Sequence, residues 1–226
     1  MSAALADLPT PAAILFDLDG TLVDTVETRI QAWLAAFAEQ GISAARDHVA
    51  ALIGSDGRRL AREVADAAGV ELGRGRDEVI DARAGELYQV LNDDPRPLPG
   101  ARELLESLDR SGVLWAIATS SRRAQVANSV AALKLQRDPT IVDGSAVANA
   151  KPAPDLLLQA ARQLDVEPSE SWYVGDSTWD MRAAVAAEMI PIGVTQGAAV
   201  DADALRAAGA RVTVQGLREL LTRLSG

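Results

Sequence analysis

The sequence predicts an α/β fold: a doubly wound parallel sheet with an all-helical segment inserted after its first strand. Three observations predict it. From residue 101 onward, helical segments alternate with short apolar ones, the pattern of a parallel sheet covered on both faces. Between residues 25 and 92 the apolar positions keep helical spacing and no strand pattern emerges. Pro95, Pro97 and Pro99 then make a stiff, extended connector between the two regimes. The expected division is a core of residues 1–23 and 97–226 and a helical cap of residues 24–96.

Residues 12–16 read as a short buried strand that ends abruptly at an acidic residue. Asp17 and Asp19 follow at alternate positions, and Gly20 lets the chain leave through a tight turn. Ile30, Trp33, Leu34 and Phe37 fall at i, i+3, i+4 and i+7, marking an amphipathic helix that Gly41 ends. Residues 48–53 form a short helical piece, and residues 54–59 a polar loop containing Arg58 and Arg59. Leu60, Val64, Ala67 and Ala68 continue as a helix stopped by Gly69, and residues 77–92 form another. Beyond the connector come a helix at 101–111, a strand at 113–118, a helix at 121–133 and a strand at 141–142. A helix at 153–164, a strand at 172–174, a helix at 181–187 and a strand at 190–194 follow. One more helix-strand-helix unit occupies 202–224.

Composition narrows the chemistry. A chain of 226 residues that is 48% hydrophobic can bury one large α/β core with an insertion. No apolar run approaches the ~20 residues that span a bilayer. Residues 1–11 lack a basic segment followed by an apolar one, so no secretory leader is expected. A cytoplasmic protein without a membrane partner is therefore expected, its oligomeric state left open. The absence of cysteine removes disulfides, a thiolate nucleophile and Cys-based zinc sites. A net charge of −10 argues against nucleic acid as a partner, because phosphate-backbone binding needs clustered cations. With His48 the single histidine and no Gly-x-Ser-x-Gly elbow, serine-hydrolase schemes find no support. Carboxylates are left to carry any catalysis.

Four predicted strand ends bear polar residues. The first carries Asp17 and Asp19. The second carries Thr119 and Ser120, residues that also cap helices well. At the third, Lys151, one of only two lysines, precedes a rigid proline turn. The fourth carries Asp176, with Asp180 one helical turn later on the same face. Each segment alone reads equally well as a turn or a cap. Together they lie where a parallel sheet gathers its ligand contacts. Several crowded carboxylates repel one another unless a cation sits among them, and Mg²⁺ suits an all-oxygen donor set. A metal, a lysine and hydroxyls beside free backbone N–H groups describe a phosphoryl-transfer site. Arg58 and Arg59 are candidates to meet a second anionic group on a substrate.

Asp17-Leu18-Asp19-Gly20-Thr21, Thr119-Ser120, Lys151 and Gly175-Asp176 with Asp180, in that order, resemble the four motifs of the haloacid dehalogenase superfamily of phosphohydrolases. The likeness is to the branch with a helical cap after the first motif, which holds phosphoglycolate phosphatases and β-phosphoglucomutases. It implies a Rossmann-like core and Mg²⁺-dependent hydrolysis of a small phosphorylated metabolite through an aspartyl-phosphate. It implies Asp17 as the nucleophile and Asp19 as the acid and base. Thr119, Ser120 and Lys151 would hold the phosphoryl group. The metal would be held by Asp17, the Asp19 backbone carbonyl and Asp176, with Asp180 in support. Two alternatives remain open: a sugar-phosphate mutase, which usually has an acidic residue where Gly175 stands, and a non-catalytic binding protein on the same fold.

Overall fold

The computed structural model describes residues 3–224. Six strands form one parallel sheet: β1 (Ala13–Phe16), β2 (Leu114–Ala118), β3 (Ile141–Val142), β4 (Ser171–Gly175), β5 (Ile190–Val194) and β6 (Val212–Val214). Their order is β3-β2-β1-β4-β5-β6. The chain builds outward from β1 on one side, then returns to build outward on the other. The switch point therefore lies between β1 and β4, where doubly wound sheets open their ligand crevice. Every residue of β1 and β4 is buried, as central parallel strands with two covered faces must be.

Alternation along these strands makes two cores. Ile14, Phe16, Trp115, Ile117, Trp172 and Val174 face one side, with the leucines of the Ala101–Ser111 helix. Ala13, Leu15, Ala116, Ala118 and Tyr173 face the other, under the helices Asp155–Leu164 and Thr178–Ala186. Alanines on that second face let the two helices sit close to the sheet.

The inserted segment holds four helices: α1 (Val26–Glu39), α2 (Arg46–Leu52), α3 (Gly57–Ala67) and α4 (Arg76–Leu91). The chain enters and leaves it through a two-stranded antiparallel ribbon, Val23–Asp24 against Arg96–Pro97. Ile30, Trp33, Phe37, Val49, Leu60, Val64 and Ile80 give the cap its own hydrophobic cluster. One residue from the core, Trp179, completes that cluster, and its indole Nε1 donates to the Ala51 carbonyl at 3.0 Å.

Several helix starts differ from the sequence reading, and caps explain them. Asp56 accepts from the Arg59 backbone N–H at 3.0 Å and starts α3 at Gly57. Arg58 and Arg59 therefore stand in a helical first turn rather than in a loop. Ser177 and Asp180 form a reciprocal capping box that begins the helix at Thr178, three residues earlier than expected. In the other direction, the helix expected from residue 121 begins at Arg123, which leaves Ser121 in the loop beyond β2.

The cap cluster sets a stability test. Phe37 is fully buried, with its ring 5.7 Å from that of Trp33. Phe37→Ala should lower the unfolding free energy by about 3–5 kcal/mol, measured by denaturant titration.

Candidate active site

The site grows from the end of β1. The Asp17 backbone N–H donates to Val174 O at 2.9 Å, so the sheet ladder itself aims the residue into the crevice. Gly20 has φ +85°, and a Cβ there would collide with the Asp176 carboxylate. This glycine thus permits both the turn and the approach of β4's acid. Thr21 Oγ1 then donates to Asp176 Oδ1 at 2.8 Å. The motif around Asp17 is in this way bonded to the motif around Asp176.

Lys151 is wholly buried, with Nζ 2.5 Å from Asp17 Oδ1 and 2.7 Å from Asp180 Oδ1. Burial alone would lower its pKa, but those two carboxylates outweigh it and hold the ammonium charged. Asp180 is saturated. Its Oδ1 also accepts from Tyr173 Oη at 3.0 Å, and its Oδ2 accepts from the Ser177 N–H at 3.0 Å and hydroxyl at 2.6 Å.

Oxygens of Asp17, Asp176 and Asp180 lie within 4.8 Å of one another, all buried. Among the described residues, Lys151 alone forms an ion pair with these three charges. Burial accordingly pushes the Asp17 carboxyl up to about 7, even with Lys151 pulling it down. Asp176 is raised well above its ordinary value for the same first reason, aggravated by the charges of Asp180 and Asp17. An all-oxygen donor set short of positive charge fits a hard divalent cation such as Mg²⁺. Because Asp180 is already saturated, Asp17 and Asp176 are the side chains free to bind one. The Asp19 backbone carbonyl has no hydrogen-bond donor among the described residues.

Asp19 takes a different environment. Its carboxylate accepts from Arg29 at 2.6 Å, Thr25 at 2.7 Å, Tyr88 at 2.8 Å and Ser121 at 3.1 Å. Burial alone would raise this carboxyl, yet the Arg29 guanidinium and the hydroxyl donors outweigh it and hold it below the usual range. Arg29 belongs to α1 and Tyr88 to α4, and the guanidinium lies 3.5 Å from the Tyr88 ring centre. The cap therefore reaches across the seam to grip Asp19.

Thr119 follows β2, its N–H donating to Val142 O and its hydroxyl oxygen accepting from the Ser121 N–H at 3.2 Å. The Ser120 hydroxyl donates to the Gly54 carbonyl of the cap at 3.1 Å. Asp17, Asp19, Thr119 and Ser120 share a cavity of about 70 Å³ lined on the cap side by Arg29, Trp33 and Leu60. Lys151, Asp176 and Asp180 stand behind Asp17.

The sheet thus brings together every core residue singled out in the sequence. It does not bring Arg58 or Arg59 to the cavity. Arg58 pairs with Asp56 and Glu78 at 3.6 and 3.8 Å. Arg59 pairs with Glu63 at 2.6 Å and lies 4.7 Å from the Trp179 ring centre. The cap cation in the cavity is Arg29, which sequence reasoning passed over together with Thr25, Tyr88 and Ser121. One signal was present: Arg29 stands four residues before Trp33, beside the apolar stripe of its helix.

The chain is 31% identical to the β-phosphoglucomutase of Bacillus subtilis over 195 residues, 82% of this chain and 84% of that protein. It is 32% identical to a phosphoglycolate phosphatase of Pseudomonas fluorescens over 202 residues, 83% and 70% of the two chains. A 33% match to the Arabidopsis thaliana chloroplast protein SUPPRESSOR OF QUENCHING 1 covers 81% of this chain but only 18% of that longer protein. The crystal structure of a hydrolase from Pseudomonas syringae superposes with a TM-score of 0.89 at 32% identity, covering 94% of this chain and 97% of that one. The profile of the family described as haloacid dehalogenase-like hydrolase matches residues 14–194, and the chain belongs to that family.

Proposed function

We propose that the protein hydrolyses small phosphate monoesters, with Mg²⁺, through an aspartyl-phosphate formed on Asp17. One observation carries the reading: Asp17 faces the same small cavity as the Thr119 hydroxyl and Asp19, with Lys151 bonded to its other side. Lys151 occupies Asp17 Oδ1, and Oδ2 has no hydrogen-bond partner among the described residues. Oδ2 is thus the oxygen available to attack phosphorus, displacing the ester oxygen and splitting one hard step into two. Thr119 accepts a hydrogen bond through its oxygen, so its own hydroxyl proton is free to donate to a phosphoryl oxygen.

Asp19 would give a proton to the departing oxygen and later take one from the water that cleaves the acyl phosphate. The arrangement seen holds Asp19 as the carboxylate, the form that takes a proton. Donating one requires the Arg29 contact to loosen, which couples the first step to movement of the cap. Asp17, Asp176 and the Asp19 carbonyl would hold Mg²⁺, which when bound neutralises charge on the phosphoryl oxygens. The cap of residues 24–96 would exclude bulk water. The likeness to a β-phosphoglucomutase does not outweigh that to the phosphatases, and a side chain at position 175 would enter the space that Asp180 fills.

Three tests follow from the chemistry. Asp17→Asn should reduce phosphate release from p-nitrophenyl phosphate to background while circular dichroism stays unchanged. Asp19→Asn should cost roughly 10²–10⁴ in kcat on alkyl phosphates and distinctly less on p-nitrophenyl phosphate, whose leaving group needs little protonation. Equal losses would assign Asp19 another task.

The third test uses pH. The Asp17 carboxyl rises from 3.8 to about 7 on folding, so its contribution to stability is complete below about 4 and lost as pH climbs through 7. A bound divalent cation competes with that proton and restores the lost stability. The rise in Tm on adding Mg²⁺ should therefore be larger at pH 8 than at pH 5.5, read by thermal unfolding. Equal rises at both values would count against metal binding at these carboxylates.

A further inference from the structure

The catalytic cavity is too small to hold much beyond a phosphoryl group, but it is not closed. Gly57, Asp81, Ser120 and Gln125 line both it and a second, polar cleft of about 450 Å³ along the seam between cap and core. Any leaving group must lie in or toward that cleft.

Its charges are already matched. Arg58 is paired with Asp56 and Glu78, and Arg122 with Asp81 at 3.5 Å. In the inner cavity the one lining cation, Arg29, is bonded to Asp19. Three acids against two arginines line the cleft, so a carboxylate or second phosphate entering it meets net negative charge and no unpaired cation among the described residues. An anionic tail would have to break an existing ion pair.

Neutral hydrogen-bonding groups find the opposite. Asp81, on α4, is partly exposed to the cleft, and its only partner among the described residues is that long contact from Arg122. A carboxylate offers about four acceptor positions, so most of its capacity is unspent. Across the seam, Gln125 uses Oε1 to accept the Arg122 N–H at 3.2 Å, which fixes the amide's orientation. Its Nε2 has no partner among the described residues. Gly85, one turn along α4 from Asp81, explains the placement: a Cβ there would strike the Gln125 amide. A glycine in mid-helix costs about 0.5–1 kcal/mol. Here it lets the amide lie along the cap helix on the same face as Asp81. An acceptor on the cap and a donor on the core is the pair that a hydroxyl, at once donor and acceptor, satisfies.

We propose that this seam cleft is the leaving-group subsite, that Asp81 and Gln125 read hydroxyls there, and that the substrates are phosphate esters of neutral polyhydroxy alcohols rather than phospho-carboxylates. The proposal rests on the phosphatase reading and narrows it.

The test compares kcat/KM for glycerol 3-phosphate and glucose 6-phosphate with that for 2-phosphoglycolate. The wild-type enzyme should favour at least one hydroxylated ester. Asp81→Asn removes the negative charge, and should shrink that preference by roughly tenfold or more, losing on the hydroxylated ester and gaining on phosphoglycolate. Gln125→Ala, altering the seam from the core side, should lose on the hydroxylated ester without the gain. Thermal unfolding confirms that each variant is folded. A wild-type preference for phosphoglycolate, or an unchanged ratio in folded Asp81→Asn protein, would overturn the subsite. Wild-type protein that hydrolyses none of these esters, nor p-nitrophenyl phosphate with Mg²⁺, would overturn the phosphatase reading beneath it.

Discussion

The buried ammonium of Lys151 constrains everything around it. A charge with no exposure to water is tolerable only when matched and fully hydrogen-bonded, and here Asp17 and Asp180 match it. Asp180 is fixed in turn by Ser177, whose hydroxyl and N–H begin a helix, and by Tyr173. The Tyr173 hydroxyl also lies 3.2 Å from the Ala118 carbonyl, at the end of β2. A single point charge thus sets the positions of the ends of β1, β2 and β4. It also leaves the carboxylates in excess. Burial, aggravated by that surplus, raises Asp17 and Asp176, which leaves an all-oxygen site short of positive charge.

Asp17 and Asp19 show how differently one backbone turn can treat two acids. Asp17 looks inward to lysine and other carboxylates. Asp19 looks outward, to an arginine, a tyrosine, a threonine and a serine. Three of those four donors belong to the helical insertion, so the environment of the second acid depends on the position of the cap while that of the first depends on the core. Trp179 ties the same two parts together from the other side. It follows Asp176 by three residues yet packs in the cap's cluster, with Arg59 and Arg182 against its ring.

Much of this was legible in the sequence because the core obeys simple rules. Fully apolar runs such as residues 13–16 and 115–118 can only be central strands, and the polar residues after them must fall on one edge of the sheet. Asp17, Thr119 and Asp176 were singled out by that logic, and Lys151 by the scarcity of lysine and the proline turn after it. Arg29 and Tyr88 were not, since an arginine or tyrosine on a surface helix has the same local pattern whether it faces solvent or a seam. Which it does depends on how the cap docks, a property of no single segment. Arg58 and Arg59 stand outside the inner cavity for a local reason. The side chain of Asp56 starts a helix, which pairs both residues with acids of the cap and leaves Arg58 on the seam cleft rather than in the inner cavity.

The parallel sheet has a consequence for how the chain acquires its charge balance. Asp17 meets its lysine across 134 residues of sequence, and Thr21 meets Asp176 across 155. Contacts of such separation are costly to close and come late in folding, whereas the cap's helices make their contacts within a short stretch of chain. During synthesis Asp17 therefore leaves the ribosome long before the group that neutralises it. Until β4 is in place, β1 lacks the Val174 carbonyl that holds the Asp17 N–H. Catalytic character in this protein belongs to the finished sheet, and no fragment ending before residue 180 possesses it.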